Sequence, residues 1–152
     1  MNHLAFQYCP KIAVFSADGR KVLLCRRKGE QDYDGVFSLI GGKMEHSDVT
    51  IVDALSREKT EEVGESFAIN VLPQYSVNVN FVKADGSHMI LPHHLARHIA
   101  GAPVLNHEYS EFAWVDLGEL AAFGPKVDNI TWITAALKRL LAIVADDDFV
   151  TI

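Results

Sequence analysis

The chain has little of what would take it out of the ordinary globular class. Its 152 residues contain two cysteines, Cys9 and Cys25. They show no CxxC spacing and are too few for a disulfide framework, so two buried or semi-buried thiols are expected. No apolar run approaches the ~20 residues that a membrane-spanning helix needs. The start, MNHLAFQYCP, lacks a charged segment followed by an apolar one, and a soluble, cytoplasmic protein is expected. Basic residues are in the minority: Lys and Arg number 14 against 20 Asp and Glu, a net charge of −6. Such a surface repels a nucleic-acid backbone, whose binding rests on Lys and Arg neutralising phosphates. A small phosphate ester stays within reach if cations bridge it to the protein. The share of hydrophobic residues, 49%, and of charged ones, 22%, excludes disordered and fibrous classes. The length suits one domain, residues 1–152, around one core.

What is present reads as an α+β domain, a mixed sheet flanked by two main helices. Segment 11–25 has two apolar runs around Asp18-Gly19, a hairpin signal. A polar loop, 28–35, leads to a short strand at 36–40 that runs into Gly41-Gly42. A helix is expected from about Ser47 to Val63, capped by Ser47 or Asp48 and ended by Gly64. SVNVNFV (76–82) alternates as a half-exposed strand does. Residues 89–100 return as a second strand, which Pro92 places at an edge or a bulge. A last strand, 111–115, precedes a helix capped by Asp128 or Asn129 and running to about Val144, with Ile133, Leu137, Leu140, Leu141 and Val144 on its apolar stripe. Trp114 and Trp132 are assigned to the core.

The chemistry concentrates in 41–65. Positions i, i+3 and i+4 share a helix face, so Glu58, Glu61 and Glu62 project together. This is locally unfavourable: each like-charge pair costs ~0.2–0.5 kcal/mol, and acids in a last turn oppose the helix dipole by roughly 0.3–1 kcal/mol each. Bound divalent cations would reverse that sign, because magnesium prefers hard oxygen ligands. A solvated acidic face is the bland alternative. Against it, Arg-Glu-x-x-Glu-Glu-x-Gly arises by chance in a chain of this length on the order of once in 10⁴, and the double glycine upstream makes coincidence rarer still.

GGKMEHSDVTIVDALSREKTEEVG resembles the signature box of the Nudix hydrolases, G-x5-E-x7-R-E-U-x-E-E-x-G-U with U aliphatic. The resemblance extends to the Lys21–Leu24 strand with Arg26 and Arg27, the approach from Phe37 to Gly42, the Trp114-Val115 strand and the closing helix. It implies an α/β/α sandwich and hydrolysis of the P–O–P bond of a nucleoside diphosphate linked to another moiety, by attack of water on phosphorus with Mg2+ or Mn2+ bound to the box. By position, Glu58, Glu61, Glu62 and the Gly41 carbonyl match the metal ligands. Arg57 matches the arginine that orients its neighbour, and Glu58 the residue that polarises water. Glu108, in NHEYSEFAW, is an alternative base from a later loop, as is Glu111. The box is departed from at Asp48, which stands for its first Glu; by eight residues rather than seven between Asp48 and Arg57; at Lys59 and Glu65, which replace aliphatic residues; and at Ile40, which replaces a common proline.

Arg26, Arg27, Tyr33 and Phe37 are candidate substrate contacts, the arginines for phosphate and the aromatics for a base. His88, His93, His94, His98 and His107 are expected as exposed histidines rather than zinc ligands. The partner implied is a small nucleotide-type diphosphate; a homodimer is the commonest assembly for such a chain. A catalytically silent Nudix-fold nucleotide-binding or regulatory module is the alternative function. Nothing in the sequence selects one diphosphate substrate.

Overall fold

The computed structural model describes residues 2–152. Apolar runs on consecutive strands build a sheet buried on both faces. The strands are β1 (Phe6–Tyr8), β2 (Lys11–Phe15), β3 (Lys21–Arg27), β4 (Phe37–Ser38), β5 (Ala68–Val71), β6 (Val77–Val82), β7 (His88–Ala100), β8 (Tyr109–Asp116) and β9 (Val150–Thr151). Alternate residues of β2 and β3 go to opposite sides, as a two-residue period requires. Ala13, Phe15, Val22 and Leu24 join one core with Ile130, Ile133 and Leu137. Ile12, Val14, Leu23 and Cys25 join a second with Leu55 and Val63. The last three of the first set lie on α2 (Ile130–Leu140), and Leu55 and Val63 on α1 (Ile51–Val63). Each helix therefore covers one face of the sheet, and the architecture is the expected α/β/α sandwich.

The long strand β7 organises the sheet. Along one edge it pairs in parallel with β1 and then β2; along the other it pairs antiparallel with β6 and β5. Pro92 therefore lies in a central strand, not at an edge. The reason is local: β1 ends at Tyr8 opposite Ile90 and β2 begins at Lys11 opposite His93. The missing N–H of Pro92 thus falls opposite the Cys9-Pro10 handover, where the ladder is already interrupted.

The β2–β3 hairpin forms at Asp18-Gly19, with Gly19 at φ +70°, but its strands pair only at Phe15 and Val22 and then separate. The chain from Phe37 to Ile40 fills the opening. Ser38 and Phe37 pair with Cys25 and Arg26 on β3, and the Ile12 N–H donates to the Ile40 carbonyl at 2.9 Å. This wedge delivers Gly41-Gly42 to the start of β2, and it is what positions the site.

Helix α1 is capped by Thr50, not by Ser47 or Asp48. The Thr50 hydroxyl accepts from the Asp53 N–H at 3.2 Å, and the Asp53 carboxylate accepts from the Thr50 N–H at 2.7 Å, a reciprocal capping box. Gly64 ends the helix at φ +94°, as expected. Lys59, at an aliphatic position of the box, is 3% exposed. Its stem lies along the core while its ammonium reaches toward the Glu65 carbonyl, so packing under the helix is kept. Helix α2 stops at Leu140, four residues short of the expected end. Trp132 is 51% exposed, on the outer face of α2, and is not a core residue; Trp114 is half-buried against His98. His93 and His94 are buried rather than exposed, with one ring nitrogen of each at the Val77 and Leu72 carbonyls.

Strand β5 was not anticipated from the sequence, although Phe67-Ala68-Ile69-Asn70-Val71 alternates between Gly64 and Pro73. The neighbours Ile133 and Trp132 test the assignment of faces on α2. Ile133→Ala should cost about 2–5 kcal/mol in urea unfolding, whereas Trp132→Ala should stay within about 0.5 kcal/mol.

Candidate functional site

The site is built around one guanidinium. Arg57 projects from α1 toward the loop that follows Gly42, and Asp48 meets it with both oxygens, Nε to Oδ1 at 3.1 Å and Nη2 to Oδ2 at 2.8 Å. Nη2 also donates to the Lys43 carbonyl at 3.0 Å. Asp48 is held in turn by the Glu45 N–H at 2.8 Å, and its carboxyl is kept below its ordinary range by the hydrogen bonds from Arg57 and Glu45. The shorter side chain at the first acidic position of the box thus still clamps the arginine. The extra residue is absorbed in the loop ahead of the Thr50 cap, so the spacing of Arg57, Glu58, Glu61 and Glu62 on the helix is unchanged.

So fixed, Arg57 donates through Nη1 to Glu58 Oε1 at 2.8 Å and lies 3.3 Å from Glu61 Oε2. Glu58 is buried because Gly42 has no side chain: a Cβ there would collide with the Glu58 carboxylate. Burial raises the Glu58 pKa, partly offset by Arg57. Gly41, at φ +117°, has no room for a Cβ against the Pro10 carbonyl. The double glycine is therefore required by close approach on both sides. Glu62 points inward, its carboxylate accepting from the Gly41 N–H at 2.6 Å and from the Tyr109 hydroxyl at 3.0 Å. Burial pushes its pKa up to about 7.

The three glutamates thus stand in three environments: Glu58 under Arg57, Glu61 mostly exposed, and Glu62 against Gly41 and Tyr109. Arg57 Nη1 bridges the first two. Among the described residues, no three His, Cys, Asp or Glu side chains are gathered to hold a metal ion. The donor chemistry nevertheless fits magnesium or manganese, since the Glu58, Glu61, Glu62 and Gly41 candidates offer only hard oxygen atoms. The Gly41 carbonyl already bonds a cationic group, the Lys11 ammonium.

The remaining candidates are distributed around this centre. Glu108 precedes Tyr109, its N–H donating to the Asn106 side chain and its carbonyl accepting from the Lys28 N–H. Glu111 is on β8, ion-paired with Arg26 at 3.0 Å. Arg27 is held by Glu30 through two nitrogens. Phe37, expected as a base-stacking ring, is instead in the core, edge-on to Phe123 with centroids 5.0 Å apart. Phe37 pairs with Arg26 on the same face of the sheet, and the Arg26 guanidinium lies over its ring at 5.8 Å, so the aromatic face is covered by the chain itself. Tyr33 remains exposed. Two partners of the site were not singled out by sequence reasoning, Tyr109 and Lys11. No local pattern marks either, because strand register alone brings them to Glu62 and Gly41. A cleft of about 490 Å³ lined by Met44, Glu45, His46 and Ser47 opens on the same loop.

Residues 8–135 match the NUDIX domain. The chain belongs to the Nudix family, as the resemblance of its box implied. Solved structures with the same fold include a MutT protein from Methanosarcina mazei Go1, 18% identical over 93% of this chain and 99% of that one, TM-score 0.73. Another is the NUDIX domain of Shewanella oneidensis NrtR complexed with ADP ribose, 22% identical over 91% and 90%, TM-score 0.68. A third is a C. elegans Ap4A hydrolase binary complex, 14% identical over 90% and 96%, TM-score 0.67. A search of curated proteins gives no match. No helix among the described residues is long and apolar enough to cross a membrane.

Glu62 gives the metal-free protein a pH signature. Its pKa is raised on folding from 4.5 to about 7. Its contribution is full below pH 4.5 and is lost as pH rises through 7, by up to about 3 kcal/mol. His93, held neutral by burial and lowered to about 4, has the opposite slope, being lost as pH falls below 6.5. The measurement is therefore the difference between wild type and Glu62→Gln in urea titrations from pH 4.5 to 7.5. Relative to the variant, wild type should lose stability as pH rises; parallel curves would contradict the assignment.

Proposed function

We propose that the chain is a divalent-cation-dependent pyrophosphohydrolase that cleaves the P–O–P bond of a nucleoside diphosphate linked to another moiety, or of a nucleoside triphosphate. The observation that carries this reading is the Asp48–Arg57–Glu58 chain of hydrogen bonds. It fixes one oxygen of a buried carboxylate and leaves the other without a donor among the described residues. Glu58 can then accept a proton from water, and its raised pKa makes it a stronger base than a solvated glutamate. Arg57 is the positioning residue in this scheme. Glu108, at the head of β8, is the alternative base.

Magnesium or manganese, held by Glu58, Glu61, Glu62 and the Gly41 carbonyl, would neutralise phosphate charge and acidify a bound water. The chain's own residues supply the oxygen donors, the orientation of Glu58 and, through Tyr109, the anchoring of Glu62. A nucleotide-type substrate is supported by two proteins with this fold, one complexed with ADP ribose and one an Ap4A hydrolase.

A second reading, a non-catalytic nucleotide-binding module, is favoured by one observation: Glu58 and Glu62 are both engaged by protein groups, and the carboxylates are not gathered. One experiment separates the two. Nucleoside triphosphates, dinucleoside polyphosphates, ADP-ribose and nucleotide sugars are incubated with and without Mg2+, and product release is followed alongside ligand-induced shifts in Tm. The enzyme reading expects Mg2+-dependent turnover of at least one of them, with Glu58→Gln lowering kcat by about 10²-fold or more and Tm little changed. Stabilisation by nucleotide without turnover would establish the module instead, and an equally active Glu58→Gln would remove that residue's role.

A further inference from the structure

Lys11 is the first residue of β2, half-buried, with its ammonium on the Gly41 carbonyl. Its place is set by two registers. Ile12 pairs with Ile40, which brings Gly41 beside the start of β2, and Lys11 pairs with His93 on the other side. The positive charge acts on both buried carboxylates, Glu58 and Glu62, while making an ion pair with neither. His93 beside it is neutral, its pKa lowered to about 4 by burial and by Lys11, and so adds no second charge. Arg57 serves Asp48, Glu58 and Glu61. Lys11 stands on the inner side, at the Gly41 carbonyl, with its charge reaching Glu58 and Glu62.

We infer that Lys11 is the resident cation of this site, holding the Gly41 carbonyl in competition with a divalent ion, so that metal entry requires its ammonium to withdraw. This rests on the reading of Gly41, Glu58 and Glu62 as metal ligands. In the arrangement observed, Lys11 offsets part of the repulsion between two carboxylates buried on one helix. A divalent ion on the same carbonyl would lie within a few Å of the ammonium. Coulomb repulsion at that range is a tenfold effect or more on binding, about 30-fold even at the dielectric of water. The flexible four-carbon stem allows the withdrawal, toward solvent or toward a bound phosphate.

The test is Mn2+ binding to the purified chain, followed by electron paramagnetic resonance of the free ion and by calorimetry. Lys11→Met removes the charge and keeps the stem; Lys11→Arg keeps the charge. Lys11→Met should bind Mn2+ at least about tenfold more tightly than wild type, and Lys11→Arg should remain within about threefold of it. Equal or weaker binding by Lys11→Met overturns the inference. Should that variant fail to fold by circular dichroism, Lys11→Gln carries the same comparison. Uptake by wild type with no gain in the variant removes the role of Lys11 alone. No uptake by any of the proteins removes the metal-site reading as well.

Discussion

The site depends on the bidentate clamp of Asp48 on Arg57. A guanidinium presents its donors in a fixed planar fork, so a carboxylate meeting two of them fixes direction as well as distance. Once Asp48 and the Lys43 carbonyl take Nε and Nη2, the remaining nitrogen is directed at Glu58 and Glu61. One side chain thus ties the loop after the double glycine to the second half of α1 and offsets the like charges along the helix. The clamp also explains why a shorter acid and an extra loop residue are tolerated. The loop adjusts, and the fork still finds both oxygens.

Around that clamp the sheet supplies what the helix cannot. The splayed β2–β3 hairpin admits Phe37–Ile40 as a wedge, and the wedge ends in two glycines pressed between Pro10 and Glu58. Neither can carry a Cβ, since one meets backbone and the other a carboxylate. Tyr109 at the start of β8 and the Gly41 N–H then satisfy Glu62, which is why a carboxylate can be buried there at all. The anionic centre is therefore shared between one helix, one glycine turn and two strands. The packing that stabilises the fold also sets the electrostatics of the site.

The chain belongs to the Nudix family, and the three box glutamates lie in the C-terminal half of α1. Two protein cations flank them. Arg57 lies on the outer side and Lys11 on the inner, and both Glu62 oxygens are met by neutral donors. A centre compensated in this way can remain folded in the absence of divalent ions, which an uncompensated cluster of buried carboxylates would resist.

The class of fold, both helices, the β2–β3 hairpin, strands β6, β7 and β8, and the 41–65 box with its order of charges are legible in the residues alone. These rest on local periodicity, on turn residues and on a spacing that chance rarely produces. Packing decided that Thr50 caps α1, that Pro92 lies in a central strand, and that Phe37 faces the core while Trp132 faces solvent. It alone brought Lys11 and Tyr109 to the box. The reason is physical: a period of 2 or 3.6 shows which residues share a face, but contact across a sheet is set by register between strands distant in sequence. A lysine at the start of one strand and a tyrosine at the start of another carry no local mark of the carboxylate they will meet.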